Sequence, residues 1–67
     1  MRNWLRSIRE IKGYSEKKVA NLVGISQPMY HCIETGEKNP RVQTAQRIAK
    51  VLGFDWQLFF PEEKEGA

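Results

Sequence analysis

Apolar residues recur every three to four positions along most of this chain, as expected for helices with one buried face. The pattern predicts helices over residues 2–12, 16–23, 27–34 and 42–52, followed by a short fifth helix over 56–60. Gly13, Gly24 and Gly53 directly follow three of these segments, where a helix commonly ends in a left-handed residue. The sequence therefore predicts a compact all-α fold.

The same spacing predicts which side chains face the core. Leu5 and Ile8 form the inward stripe of the first helix, flanked by Trp4 and Ile11. The inward stripe of the fourth helix consists of Val42, Ala45, Ile48, Ala49 and Leu52. A chain of 67 residues can bury only a modest core, so its stability requires well-packed helices or dimerisation.

Residues 16–33 have the features of two short helices that cross steeply over a tight turn. Gly24 supplies the left-handed residue that ends the first of these helices. Ser15 and Ser26 are predicted to cap the two helices, because a serine hydroxyl accepts from the free N–H groups of the first turn. Ala20 is small enough for the helices to approach closely.

This pattern resembles the helix-turn-helix of the lambda-repressor-like family, also called the Cro/repressor or Xre family. The flanking segments WLRSIREIKGYS and IETGEKNPRVQTAQRIAKVLGFDWQLFF also follow that family's course. The resemblance implies a compact five-helix DNA-binding domain over residues 1–60, and residues 61–67 are expected to form a short, acidic, disordered tail. It further implies a transcription regulator, expected to be a repressor, that binds a palindromic double-stranded DNA site as a homodimer.

In this family the outer face of the third helix enters the major groove. The side chains expected to contact bases are Gln27, Pro28, His31 and Cys32. Gln27 is the strongest of them, because its amide can pair with adenine N6 and N7. The inward side of the helix is formed by Met29, Tyr30 and Ile33. Because Pro28 and Cys32 offer little polar contact, we expect modest specificity from side chains or reliance on DNA shape.

The family binds DNA phosphates through the start of the second helix and the loop after the third. By resemblance, the phosphate-binding residues are Ser15, Lys17, Ser26, Thr35, Lys38, Asn39 and Arg41. Glu16 departs from the family, which commonly has glutamine there, and a carboxylate repels phosphate. Either Lys17 and Lys18 compensate, or Glu16 turns away and acts as a favourable first-turn charge. The loop could also be an ordinary exposed turn.

The resemblance also implies a structural ion pair between Arg9 and Glu34 that ties the first helix to the third. The alternative is that both are separate surface charges.

The segment WQLFF is too apolar for all its side chains to face one small core, and exposed apolar patches mark interfaces. In the family, this end of the domain commonly contributes to the dimer contact. Trp56 and Leu58 are therefore expected there. Phe54 and Phe59 are expected to close the core instead.

Charge and composition narrow the class of protein. Residues 1–60 carry ten basic and five acidic side chains, whereas residues 61–67 carry one and three. A basic domain suits a polyanionic partner, although a charged surface alone is also typical of plain solvation. A single cysteine excludes an intrachain disulfide. No apolar run approaches the length of a membrane span, so we expect no membrane contact and a cytoplasmic location.

Two other functions, metal binding and catalysis, would depend on His31 and Cys32. Adjacent residues on a helix diverge, and with no second histidine or cysteine a four-ligand metal site is not expected. A nucleophilic Cys32 has no second histidine as its base, so we expect no enzyme and no cofactor. A redox-sensitive Cys32 stays open. The second hypothesis is a protein-interaction module, such as an antitoxin or adaptor. Four residues each weaken a usual DNA contact: Glu16, Glu37, Pro28 and Cys32.

Overall fold

The computed structural model describes residues 1–61, and its elements are helices joined by short turns. They are α1 (Asn3–Lys12), α2 (Glu16–Val23), α3 (Gln27–Thr35), α4 (Val42–Leu52) and a C-terminal 3₁₀ helix (Trp56–Phe59). No β-strand occurs among the described residues, and the all-α prediction is confirmed. The fifth helix, however, is a four-residue 3₁₀ helix. A segment this short, followed closely by Pro61, cannot form enough i to i−4 bonds to sustain an α-helix.

The ends of α2 and α3 are formed as the sequence predicts. The Ser15 hydroxyl accepts a hydrogen bond from the N–H of Lys18 at 3.0 Å, and the Ser26 hydroxyl accepts one from the N–H of Met29 at 3.2 Å. Gly24 has φ of 88°, in the left-handed region that glycine adopts without a Cβ clash. These local contacts fix the turn between the two helices.

The core lies where α2, α3 and α4 meet, with α1 packed against α3 and α4. Its buried apolar residues are Leu5, Val19, Ala20, Val23, Tyr30, Ile33, Ala45, Ile48, Ala49, Leu52 and Phe59. Val42, expected in the inward stripe of α4, and Ile11, expected at the flank of the α1 stripe, are both exposed. Ile11 is 84% exposed, because it lies six residues after Leu5 and so about 120° away around the helix. Val42 is exposed because it opens α4, ahead of the turns that pack on α2.

Aromatic rings close the core beside the 3₁₀ helix. The ring of Trp4 meets those of Phe54 and Phe59 edge to face, with centroids 5.3 and 5.2 Å away. Phe59 is buried and Phe54 half-buried, as expected. Trp56 is also half-buried, packed against the core, and its ring lies 5.9 Å from that of Phe60. Leu58 points outward. Of the two residues expected at a dimer contact, only Leu58 is therefore exposed.

Arg9 of α1 and Glu34 of α3 form a two-pronged ion pair in a nearly dry environment. Arg9 donates from Nε and Nη2 to the two carboxylate oxygens at 2.9 and 3.0 Å, and the side chains are 11% and 1% exposed. Burial favours the neutral carboxyl, but the hydrogen bonds and positive charge of Arg9 outweigh it and lower the pKa of Glu34. The pair joins the two helices as the resemblance implied.

Candidate nucleic-acid interface

The packing of α3 decides which of its side chains reach solvent. Tyr30 and Ile33 are buried and hold the helix on the core, whereas Gln27, Pro28 and His31 are exposed. In the first turn of α3 the Met29 N–H donates to the Ser26 hydroxyl and Pro28 has no N–H, which leaves the Gln27 N–H open at this face. Gln27 is the first residue of α3 and is exposed, as an adenine-reading side chain must be.

The exposure of two side chains of α3, Met29 and Cys32, differs from the prediction. Met29 was expected to point inward, but it is partly exposed because it lies at the border between the two sides of α3. Cys32, expected to reach base edges, is only half exposed, and its Sγ donates to Glu37 Oε2 at 3.5 Å. Burial and the Glu37 carboxylate raise the pKa of the Cys32 thiol, which keeps it protonated and poorly reactive.

His31 is engaged by the residue that departs from the family pattern. Its Nδ1 lies 3.1 Å from both carboxylate oxygens of Glu16. The carboxylate therefore turns toward α3 and does not stand free at the start of α2. This contact brings the beginning of α2 beside the outer face of α3. Sequence reasoning missed it, since nothing in a spacing of 15 residues signals contact.

At the loop between α3 and α4, some polar groups are already hydrogen-bonded within the chain. Thr35 Oγ1 donates to the carbonyl of Cys32 at 3.1 Å and accepts from the N–H of Glu37. Lys38 and Arg41 are exposed, and among residues 1–61 neither side chain forms a hydrogen bond or an ion pair. These two cations are therefore available to an anionic partner, together with exposed Lys17 on α2.

Arg2 holds this loop in place, a role that sequence analysis did not predict. Its guanidinium donates to the carbonyls of Ile33 and Lys38 and to the side-chain oxygen of Asn39. The same group lies 5.4 Å from the centre of the Phe59 ring, within cation–π distance. The Asn39 side chain, expected at a phosphate, is thus occupied by a contact within the chain. No sequence signal distinguishes Arg2, which directly precedes α1, from the basic residues within that helix.

The comparisons with known proteins decide the family. The helix-turn-helix family model, HTH_3, matches residues 5–59. The chain belongs to this family. The match confirms the lambda-repressor-like resemblance, and proteins of this kind bind DNA and regulate transcription.

Relatives of this helix-turn-helix chain carry the same description. It is 39% identical over 92% of its length to YqaF of Bacillus subtilis, described as an uncharacterized HTH-type transcriptional regulator, and spans 82% of that protein. It is 31% identical over 91% of its length to the HTH-type transcriptional regulator PuuR of Escherichia coli, of which it spans 33%. The matched proteins are thus transcription regulators, and the chain corresponds to a third of the longer one.

A solved structure agrees with the fold. The crystal structure of an HTH_3 family transcriptional regulator from Vibrio cholerae superposes with a TM-score of 0.72 at 33% identity. The alignment covers 94% of this chain and 35% of the other.

None of the helices in residues 1–61 has both the length and the apolar character of a membrane span.

Proposed function

We propose that this helix-turn-helix chain is a sequence-specific transcription regulator that binds a palindromic operator as a homodimer, with α3 in the major groove. The observation that carries the proposal is the exposed face of α3, which opens on Gln27 and lies beside Lys38 and Arg41, two exposed cations without an ion pair in residues 1–61. Backbone contacts by such cations position a protein on the duplex, whereas the amide reads bases.

The dimer part of the proposal is supported by size and by exposed apolar surface. Equivalent recognition helices of a dimer lie about 34 Å apart, one turn of DNA. The domain measures 33 × 21 × 20 Å, so two copies side by side can present α3 at that separation. Leu58 supplies an exposed apolar side chain at the C-terminal end, next to half-buried Trp56. If the operator overlaps a promoter, the bound dimer would act as a repressor. Its proposed location is the cytoplasm.

Selection of bound duplexes from a random DNA pool, at near-physiological salt, tests this function. Enrichment of a two-fold symmetric site with half-sites one turn apart would support a dimeric regulator. Enrichment of a single half-site would contradict the dimer but not sequence reading. Retention without enrichment, lost at modest salt, would contradict sequence-specific binding. That result would favour the protein-interaction module. The carboxylates of Glu16 and Glu37, at the edges of this face, also favour that alternative.

Replacing Gln27 with alanine should weaken binding to the selected site by about 1 to 3 kcal/mol and relax the base preference at one position. The physical reason is loss of a bidentate amide contact to a base edge. Titration of the selected duplex, and of duplexes with that base pair changed, measures both effects. Gln46→Ala is the matched control, because Gln46 is exposed on α4, outside the proposed interface. Equal binding by the Gln27 variant would reject Gln27 as a base-reading residue.

Replacing Lys38 with glutamine should weaken binding to every sequence and lower the salt slope, log K against log salt, by about one unit. One fewer phosphate is neutralised, so about one fewer condensed cation is released. Lys12→Gln is the control: Lys12 lies near Gly53 at the far end of α1 from Arg2, which contacts the Lys38 carbonyl. A slope that falls equally in both variants would mean that net charge alone is responsible.

A further inference from the structure

Glu16 and His31 meet at the edge of the exposed face of α3. The imidazole Nδ1 lies 3.1 Å from each carboxylate oxygen, and the side chains of Glu16 and His31 are 24% and 56% exposed. An ionised carboxylate only accepts hydrogen bonds, so Nδ1 carries a hydrogen whether the ring is neutral or charged. The proton that can come and go is therefore on Nε2, which makes no hydrogen bond within residues 1–61.

We propose that Glu16 is a positioning residue for His31 and that the pair takes up a proton from solvent when the protein binds DNA. The inference rests on the proposed placement of α3 in the major groove. With the proton, Nδ1–H stays on Glu16 and Nε2–H donates to an acceptor on the DNA, a phosphate oxygen or a guanine edge. Without this proton, Nε2 presents a lone pair to those acceptors on the DNA. The negative charge of Glu16 is then left uncompensated beside a polyanion.

The charged and titratable groups around the pair keep one charge state near neutral pH. Arg9 of α1 is close enough to feel the Glu16 charge, and its hydrogen bond to Glu34 raises the pKa of its guanidinium. Burial raises the pKa of Tyr30, so its hydroxyl stays neutral. Glu34 stays ionised because Arg9 lowers its pKa below the usual range despite burial. Histidine is the side chain whose charge ordinarily changes between pH 5 and 8.

Two groups further along α3 also need to be accounted for. The Cys32 thiol stays protonated, since burial and Glu37 raise its pKa. The amino group of Met1 lies against Gly36, beyond the end of α3. Because Met1 is unchanged in every variant below, its contribution is common to all of them.

The test is the affinity for a selected duplex between pH 6 and pH 8 at constant ionic strength. Wild-type affinity should fall about threefold to tenfold as the pH rises, since binding that takes up part of a proton loses affinity by linkage. His31→Asn keeps a polar side chain but has no proton site, and its affinity should change less than about twofold. Glu16→Gln should bind more tightly at pH 8 and respond less to pH, because the repelling charge is gone.

Calorimetry in buffers of different ionisation enthalpy provides a direct count of protons taken up on binding. Wild type should take up a measurable fraction of one proton at pH 7, and the His31 variant should take up less. Equal proton uptake in both proteins, or a wild-type affinity that is independent of pH, would overturn the inference while leaving the proposed function intact. Tighter binding by Glu16→Gln to the same extent at every pH would show that Glu16 only repels DNA. Absence of duplex binding at any pH would overturn both proposals.

Discussion

Replacing Arg9 with methionine should lower the free energy of unfolding by about 3 to 5 kcal/mol. The substitution leaves the Glu34 carboxylate, whose side chain is 1% exposed, without the cation that compensates its burial. A domain of this length is stabilised by roughly 3 to 10 kcal/mol in total, so the variant should be largely unfolded or close to its transition at 25 °C. Urea denaturation followed by circular dichroism measures the change.

The same helix provides the matched control. Arg6 pairs with Glu10 one turn along α1 at 3.4 Å, but the side chains are 51% and 56% exposed. Arg6→Met should therefore cost no more than about 0.5 kcal/mol, since solvent screens an exposed pair of this spacing. Replacing Arg9 and Glu34 together by methionine should recover much of the loss, because no buried charge remains unpaired. A small effect of Arg9→Met alone would show that the pair is solvated.

Acid titration gives a second measure of the same pair. The pKa of Glu34 is lowered in the folded protein, so its ionised form favours folding above the pKa of an unfolded glutamate. That contribution should be lost as the pH falls below about 4.5 and through the lowered value. In Glu34→Gln, the midpoint of urea unfolding should change less over this range than in wild type.

Replacing Arg2 with methionine should lower the free energy of unfolding by about 2 to 3 kcal/mol, and DNA affinity should also fall under conditions where the variant is folded. The guanidinium donates to two carbonyls and to Asn39, which ties the end of α3 to the following loop. Without it, the loop that carries Lys38 must be ordered at the moment of binding, which costs affinity. Denaturation and duplex titration together measure the two effects.

Two control variants separate these effects. Arg41→Met should weaken DNA binding but change stability by less than about 0.5 kcal/mol, because the Arg41 side chain is exposed and forms no contact of this kind within residues 1–61. Arg2→Lys should recover only part of the stability, since an ammonium cannot reproduce the planar fork of a guanidinium. A stable Arg2 variant with normal affinity would mean that the loop holds its conformation without Arg2.

What sequence reasoning predicted well in this domain is local. The caps by Ser15 and Ser26 and the left-handed Gly24 depend on neighbours within four residues, so the sequence pattern contains all the information needed. Helical spacing also located most of the core. It erred at Val42, because spacing specifies a face of a helix but not how far the neighbouring helices extend along it.

The contacts that shape the interface join residues distant in sequence, and they were not predictable from local pattern. Arg2 bonds to Ile33 and Asn39, separated from it by 31 and 37 positions, and Glu16 reaches His31 across 15. Only the Arg9–Glu34 pair was anticipated at comparable range, and that came from family resemblance. The availability of Lys38 and Arg41, and the commitment of Asn39, likewise follow from the tertiary structure.

The position of Met1 has a practical consequence for work with this protein. Its amino nitrogen lies 3.6 Å from where a side chain on Gly36 would begin, and the next residue is Arg2. A purification tag or reporter protein joined directly to Met1 would emerge between α1 and the loop that carries Lys38. In the proposed complex such a fusion would lie beside the DNA-binding loop and strain the Arg2 contacts, so weak DNA binding by a fusion protein could come from the tag itself. A cleavable tag, removed before titration, avoids that artefact.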